Sequence, residues 1–251
     1  MDRFFFDALS RAARDAIEGA AREPENKAVS GYDPVTAADR AAERAMRVLI
    51  EGRFPDHGIW GEEYGWTREG ARYHWSLDPI DGTRAFVCGL PSWAVLVGLL
   101  DENAHVAGMI DLPALDERLV AVDGTTHHLT RHRDEAVRTS GCDKLDDARL
   151  ATTDPGLFSD EERAGFEVLS GTARLTRYGL DAMAYARIAT GGIDLVAETG
   201  LHPHDRDALV AVVRGAGGHV GNWKGGDDLS GGDVVAAASP ALYIQAIERL
   251  R

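Results

Sequence analysis

Cysteine is scarce in this chain. Its 251 residues include two, Cys88 and Cys142, too few for the disulfide framework of a small secreted domain. A reducing, cytoplasmic setting is expected instead. Long apolar runs are missing as well. The longest, Trp93 to Leu100, falls far short of the ~20 residues that cross a bilayer. The opening Met1-Asp-Arg-Phe-Phe-Phe-Asp7 lacks a basic segment followed by a long apolar one, so no export signal is expected. Positive charge is in deficit: Lys+Arg 27 against Asp+Glu 41 gives −14. Such a balance argues against general binding of nucleic acid or anionic membranes. Walker A, His-Glu-x-x-His and Gly-x-Ser-x-Gly sequences are all absent.

What remains is an ordinary globular composition, 44% hydrophobic and 27% charged. A chain of this length can bury about 70–75% of its unfolded surface and needs no staples. If it handles an anion, something must supply positive charge locally.

Apolar spacing predicts an amphipathic helix over residues 3–22, with Phe6, Leu9, Ala13 and Ile17 on one face. A turn is expected at Ser30-Gly-Tyr-Asp-Pro34, then a helix from about Thr36 to Gly52 that Pro55 ends. Residues Trp75 to Val122 read as short β runs, with Asp101-Glu-Asn103 a hairpin connection. Beyond them strands and helices alternate. Helices are expected over Asp160–Ser170, Asp181–Thr190, Asp205–Ala216 and Pro240–Leu250, and strands over Leu150–Thr153, Arg174–Tyr178, Ile193–Glu198 and Val234–Ser239. This suggests two packed subdomains, 1–140 and 141–251. His127, His128 and His132 lie in a polar stretch and are expected to be solvated. Cys88 is expected to be a packed small residue, and Phe4-Phe5-Phe6 to be core or a dimer contact.

The chemistry concentrates in Asp78-Pro-Ile-Asp81-Gly82-Thr83. Proline fixes its own φ and pushes Asp78 into an extended conformation. Gly82 then permits a tight turn, and Thr83 can begin a short helix. The product is a rigid corner presenting two carboxylates, the Ile80 carbonyl and helix N-terminal amides. Oxygen-only donors suit a hard cation such as Mg2+, and a helix N-terminus suits a phosphate. An ordinary turn with a capping Asp would look the same in isolation.

Other acidic elements stand in order around it: Gly61-Glu62-Glu63, then His202-Pro-His204-Asp205, where Asp205 opens a helix and could simply cap it. Upstream, Asp33-Pro-Val-Thr36-Ala-Ala-Asp39 has the form of a capping-box variant, so structure alone could explain Asp39. In this order, with the last helix closing on Ala216-Gly-Gly218, the elements resemble the inositol monophosphatase superfamily, Mg2+-dependent phosphomonoesterases, over about residues 5–250.

The resemblance implies an α/β (α+β) fold, a layered αβαβα sandwich, and a homodimer. It implies two to three Mg2+ per site, with Mn2+ able to substitute. Glu62, Asp78 and the Ile80 carbonyl would hold the first ion; Asp78, Asp81 and Asp205 a second; Glu62, with waters, a third. Thr83 and Asp39 match the positions that orient and deprotonate the attacking water, with Glu62 the rival base. The four carboxylates and a phosphate dianion would be balanced by three Mg2+, which answers the question of local positive charge. A Cys-based phosphatase loop is absent.

The substrate that the resemblance implies is a small phosphomonoester. Arg84-Ala85-Phe86 and Arg177-Tyr-Gly179-x-Asp181-Ala-x-Ala-Tyr185 look like the bacterial histidinol-phosphatase branch. Substrate contacts would come from Asp81, Gly82, Thr83, Gly179, Asp181, Glu198 and Asp205. Asp181 and Glu198 would suit a cationic amino-alcohol, although Asp181 could equally be an N-cap. An inositol or other sugar phosphate is the alternative substrate, and a non-catalytic phosphometabolite-binding protein the remote one. His202 and His204 also invite a zinc reading, against a supporting role behind Asp205.

Overall fold

The computed structural model describes residues 2–21, 25–26 and 34–250. The expected turn at Ser30–Pro34 and the motif residue Asp33 lie outside these residues, except for Pro34. Helix α1 (Arg3–Glu18) starts where the Asp2 side chain accepts the Phe4 N–H, and it buries Phe6, Leu9, Ala13 and Ile17. A two-residue ribbon, β1 (Glu25–Asn26) with β2 (Pro34–Val35), precedes α2 (Ala37–Arg53). Helix α2 is closed at its start by the expected Thr36–Asp39 capping box.

Eight strands follow: β3 (Gly58–Gly61), β4 (Gly65–Thr67), β5 (Tyr73–Asp81), β6 (Ala94–Asp101), β7 (Ala104–Leu112), β8 (Glu117–Val122), β9 (Thr125–Thr130) and β10 (Asp134–Ala136). They form one sheet in the order β10-β9-β8-β7-β6-β5-β3-β4. Its pairs are antiparallel apart from β3 beside β5. The short helix α3 (Thr83–Val87) links β5 to β6.

The second sheet has the order β12-β11-β13-β15-β14. It is made from β11 (Arg149–Thr152), β12 (Leu175–Tyr178), β13 (Leu195–Glu198), β14 (His219–Gly221) and β15 (Val234–Ala237). Helices α4 (Asp160–Thr172), α5 (Ala182–Ala189), α6 (Pro203–Gly215) and α7 (Pro240–Leu250) are interleaved with them.

Side-chain alternation stacks these elements into layers. Val95, Val97 and Leu99 of β6 join the cluster under α1 and α2. Ala94 and Leu96, from the same strand, join α5 and α6 on the opposite face. A strand buried on both faces reads as an unbroken apolar run, which is why residues 93–100 show no alternation. Val196 and Ala236 of the second sheet also face α5 and α6, whereas Leu195, Ala197, Val235 and Ala237 pack with α4 and α7. The result is the expected αβαβα sandwich.

Two local expectations change. Residues His127 and His128 belong to β9, paired with β8, and His128 Nε2 lies 3.5 Å from Glu117 Oε2 in a largely buried setting. A polar strand of this kind carries no alternation signal to announce it. Cys88 is exposed. Of the three leading phenylalanines Phe6 is buried, but Phe4 is 71% exposed.

Helix α6 lies close against the first sheet because that sheet offers glycines beneath it. A Cβ on Gly108 would sit 2.8 Å from the Ala208 carbonyl oxygen and 2.9 Å from Ala211 Cβ. A Cβ on Gly98 would sit 2.9 Å from Asp207 Cβ. Gly108→Ala is therefore expected to cost about 1–3 kcal/mol through overpacking. In a chain of this size that is a fall in Tm of about 2–4 °C per kcal/mol, read by thermal unfolding. An unchanged Tm would mean that α6 has room to shift.

Candidate active site

The corner at the end of β5 forms as its sequence requires. Strand pairing with β6 is interrupted between Asp78 and Asp81. Across Pro79, Asp78 Oδ1 accepts the Ile80 N–H at 3.0 Å. The Thr83 hydroxyl donates to the Ile80 carbonyl at 3.1 Å. Gly82 has φ 76°, and a Cβ there would lie 2.9 Å from Asp181 Cγ. Glycine is thus needed twice, for the left-handed turn and for the close approach.

Asp78, Asp81 and Asp205 converge here: one oxygen from each lies within 4.8 Å of the others. Each also anchors one oxygen on a backbone N–H. For Asp78 this is Ile80. Asp81 Oδ2 accepts from Ala182 at 2.8 Å, and Asp205 Oδ2 from His202 at 2.7 Å. Asp205 is therefore not the N-cap. Helix α6 begins at Pro203, and Asp205 reaches back from its first turn.

Burial, then the neighbouring carboxylates, push the Asp78 and Asp81 carboxyls well above their ordinary range. Asp205 is raised too, first by burial. Glu62 joins the cluster within hydrogen-bonding reach of Asp78. Crowded, desolvated carboxylates must either take up protons or hold a cation. The donors are all oxygen, so a hard divalent ion such as Mg2+ fits the set. The histidines do not compete for it. His202 and His204 stack on one another at 5.4 Å, and His204 Nε2 lies 3.3 Å from Asp205 Oδ1. Among the described residues, the group close enough to share a metal is the three aspartates.

Glu62 owes its place to a residue that sequence reading passed over. The wholly buried Glu43 of α2 accepts the Glu63 N–H at 2.8 Å and Arg47 Nε at 2.7 Å. Arg47 in turn holds the Gly65 carbonyl at 2.5 Å and Thr67 Oγ1 at 2.9 Å. A Cβ on Gly61 would lie 1.9 Å from Glu43 Oε1, so only glycine fits there. The available signal was the i,i+4 spacing of Glu43 and Arg47, which alone suggests nothing more than a helix-surface pair.

Asp39 is buried with the capping box around it. Its Oδ2 accepts the Thr36 N–H at 2.8 Å and the Thr36 hydroxyl at 2.6 Å. Burial raises its carboxyl, and Glu62 adds to the shift. Capping and membership of the acidic group coexist in this residue.

A cavity of about 290 Å3 opens beside the corner, lined by Asp81, Gly82, Thr83, Asp181, Glu198 and Asp205 among others. Asp181 does not cap α5; Asp81 does, from the other sheet. Asp181 instead has φ 48° and ψ −144°, costly for a non-glycine residue, and its carboxylate lies over Gly82 with Ser92 Oγ at 3.4 Å. Burial raises its carboxyl, with Arg84 acting in the opposite direction. Glu198 is buried and pushed up to about 7, while Thr153 donates to it from N–H at 2.7 Å and from Oγ1 at 2.9 Å. Gly179 is not among the residues lining the cavity; its N–H donates to the Thr153 carbonyl at 2.9 Å.

A model of the inositol monophosphatase family matches residues 2–251. The bifunctional phosphatase IMPL2 of Arabidopsis thaliana is 39% identical over 100% of this chain and 75% of its own length. A histidinol-phosphatase of Mycobacterium tuberculosis is 34% identical over 86% of this chain and 84% of its own. The solved structure of an inositol monophosphatase from Zymomonas mobilis superposes with TM-score 0.85 at 36% identity, covering 100% of this chain and 99% of that one.

The raised carboxyls set a sign for stability. Asp78, Asp81, Asp205 and Glu198 keep their protons to higher pH when folded than when unfolded. The native state then binds more protons across that window, so stability falls as pH rises. In chelator, Tm is expected to fall between about pH 5 and pH 8. Mg2+ should raise Tm at pH 8 more than at pH 5, because it acts on the ionised form. A Tm that ignores Mg2+ at pH 8 would remove the metal from this cluster.

Proposed function

The chain belongs to the inositol monophosphatase family, whose members are metal-dependent phosphatases, and within it we propose a Mg2+-dependent phosphomonoesterase that hydrolyses L-histidinol phosphate. The observation that carries this choice is Asp181. A strained, half-buried carboxylate held over the Gly82 turn makes no capping bond at the start of α5. Such an expense marks a ligand contact, and with Glu198 it makes an acidic wall suited to an ammonium group. The histidinol-phosphatase of M. tuberculosis supports the same direction.

In this reading Glu62, Asp78, the Ile80 carbonyl, Asp81 and Asp205 would hold two to three Mg2+, or Mn2+ in their place. Bound there, the ions neutralise the phosphate dianion and acidify water. The residues do the rest. Thr83, tethered to the Ile80 carbonyl, orients the attacking water. Asp39 takes its proton, with Glu62 the alternative base. The water oxygen bonds to phosphorus, and the ester oxygen leaves with the bonding pair and takes a proton from solvent water to give the free alcohol. Gly82 and Thr83 amides face the phosphate, while Asp181 and Glu198 face the leaving group. We further propose a homodimer working in the cytoplasm, a setting that the scarcity of cysteine supports; the exposed Phe4 is available as a dimer contact.

Phosphate release from L-histidinol phosphate and from myo-inositol 1-phosphate, with Mg2+ and with chelator, tests the reading. A Mg2+-dependent preference for histidinol phosphate is expected. A reversed preference keeps the phosphatase and replaces the substrate. Asp181→Asn should lower kcat/KM for histidinol phosphate about 10- to 100-fold, the range for losing a charged hydrogen bond. Inositol phosphate should change by less than about threefold. Equal losses would take the ammonium contact away from Asp181.

A further inference from the structure

Tyr185 belongs to the motif that singled out Asp181, yet neither the metal set nor the proposed leaving-group wall uses it. It lies on α5, one turn into the helix that Asp181 precedes, and both residues line the same cavity. Its side chain is 2% exposed and contributes to the lining of the cavity. Its hydroxyl has no hydrogen-bond partner among the described residues. The groups within electrostatic reach of the phenol are Glu198 first, then Asp81 and Asp205.

Buried tyrosine hydroxyls ordinarily find a partner. An orphan hydroxyl deep in an apolar core would be a defect, and phenylalanine would serve better. At the wall of a cavity it is a polar station for what enters. A neutral phenol can accept one hydrogen bond and donate another. The Thr153 hydroxyl in the same lining already donates to Glu198, whereas the Tyr185 hydroxyl is uncommitted among the described residues.

We propose that Tyr185 is a specificity-determining contact for the leaving group, its oxygen accepting from a polar hydrogen on the substrate alcohol. This rests on the histidinol phosphate reading only for the identity of that donor, the ammonium group. Tyr185 lines the same cavity as Glu198, the residue assigned above to the leaving group, and the contact is assigned to that end with it.

Tyr185→Phe removes one oxygen and keeps the buried ring. Its kinetics are measured with L-histidinol phosphate, myo-inositol 1-phosphate and phenyl phosphate, whose leaving group has no polar hydrogen donor beyond the ester position. kcat/KM for the phosphate that the unaltered protein prefers should fall about tenfold, mainly through KM, as for one lost hydrogen bond. Phenyl phosphate should stay within about twofold, and Tm should hold or rise because no bond is broken. For a histidinol phosphate preference, the Ki of free L-histidinol should rise by the same factor as KM. Equal losses on preferred and phenyl phosphates, no loss on either, or a Tm that drops by several degrees would each overturn the contact. If the unaltered protein prefers inositol phosphate, the substrate reading fails by itself, and the inositol-to-phenyl ratio still decides the role of Tyr185.

Discussion

Carboxylates repel one another, and removal from water sharpens the repulsion. The centre of this molecule gathers Asp78, Asp81, Asp205 and Glu62 in one half-dry corner. Left to themselves these side chains would splay. Each of the three aspartates is held instead by a backbone N–H on one oxygen, from a turn, from the start of α5 and from the start of α6. The bonds fix orientation without neutralising charge. A cation-shaped deficit is therefore built into the fold, and the surrounding layers serve to hold it together.

The layers do this by close approach. Gly98 and Gly108 let α6 come down onto the first sheet and carry Asp205 with it. Gly61 lets the buried Glu43–Arg47 pair press up beneath the loop of Glu62. Gly82 lets the Asp181 carboxylate cover the turn. At each of these places a single added carbon would collide with a group that the site depends on. The acidic centre and the glycine pattern are two sides of one packing problem.

Local signals in the sequence were sufficient where the determinants are local. The stripe of α1, the capping box of α2 and the Asp-Pro-Ile-Asp-Gly-Thr corner all act within a few residues of themselves, and all were legible. The unbroken run in β6 was legible as a strand, although its burial on two faces needed the layers to explain it. The polar strand β9 gave no alternation to read. The capping of α5 stayed open in the sequence: proximity along the chain offers Asp181, whereas proximity in space supplies Asp81. Glu43 was invisible as a support because its partners, the Glu63 and Tyr64 N–H groups, lie about twenty residues away along the chain. Gly179 stood inside a telling motif, yet its N–H is engaged by the Thr153 carbonyl just past β11.

Because Asp81 starts α5, position 181 carries no capping duty, but its backbone imposes a rule of another kind. At φ 48° the chain tolerates glycine, asparagine and aspartate far better than a β-branched or bulky residue. The alphabet available at the mouth of the cavity is thus narrowed by peptide geometry before any ligand exerts a preference. Divergence among proteins with this backbone would run through a few small side chains at that point, switching a charge on, off or into an amide, while the hydrolytic corner stays as it is.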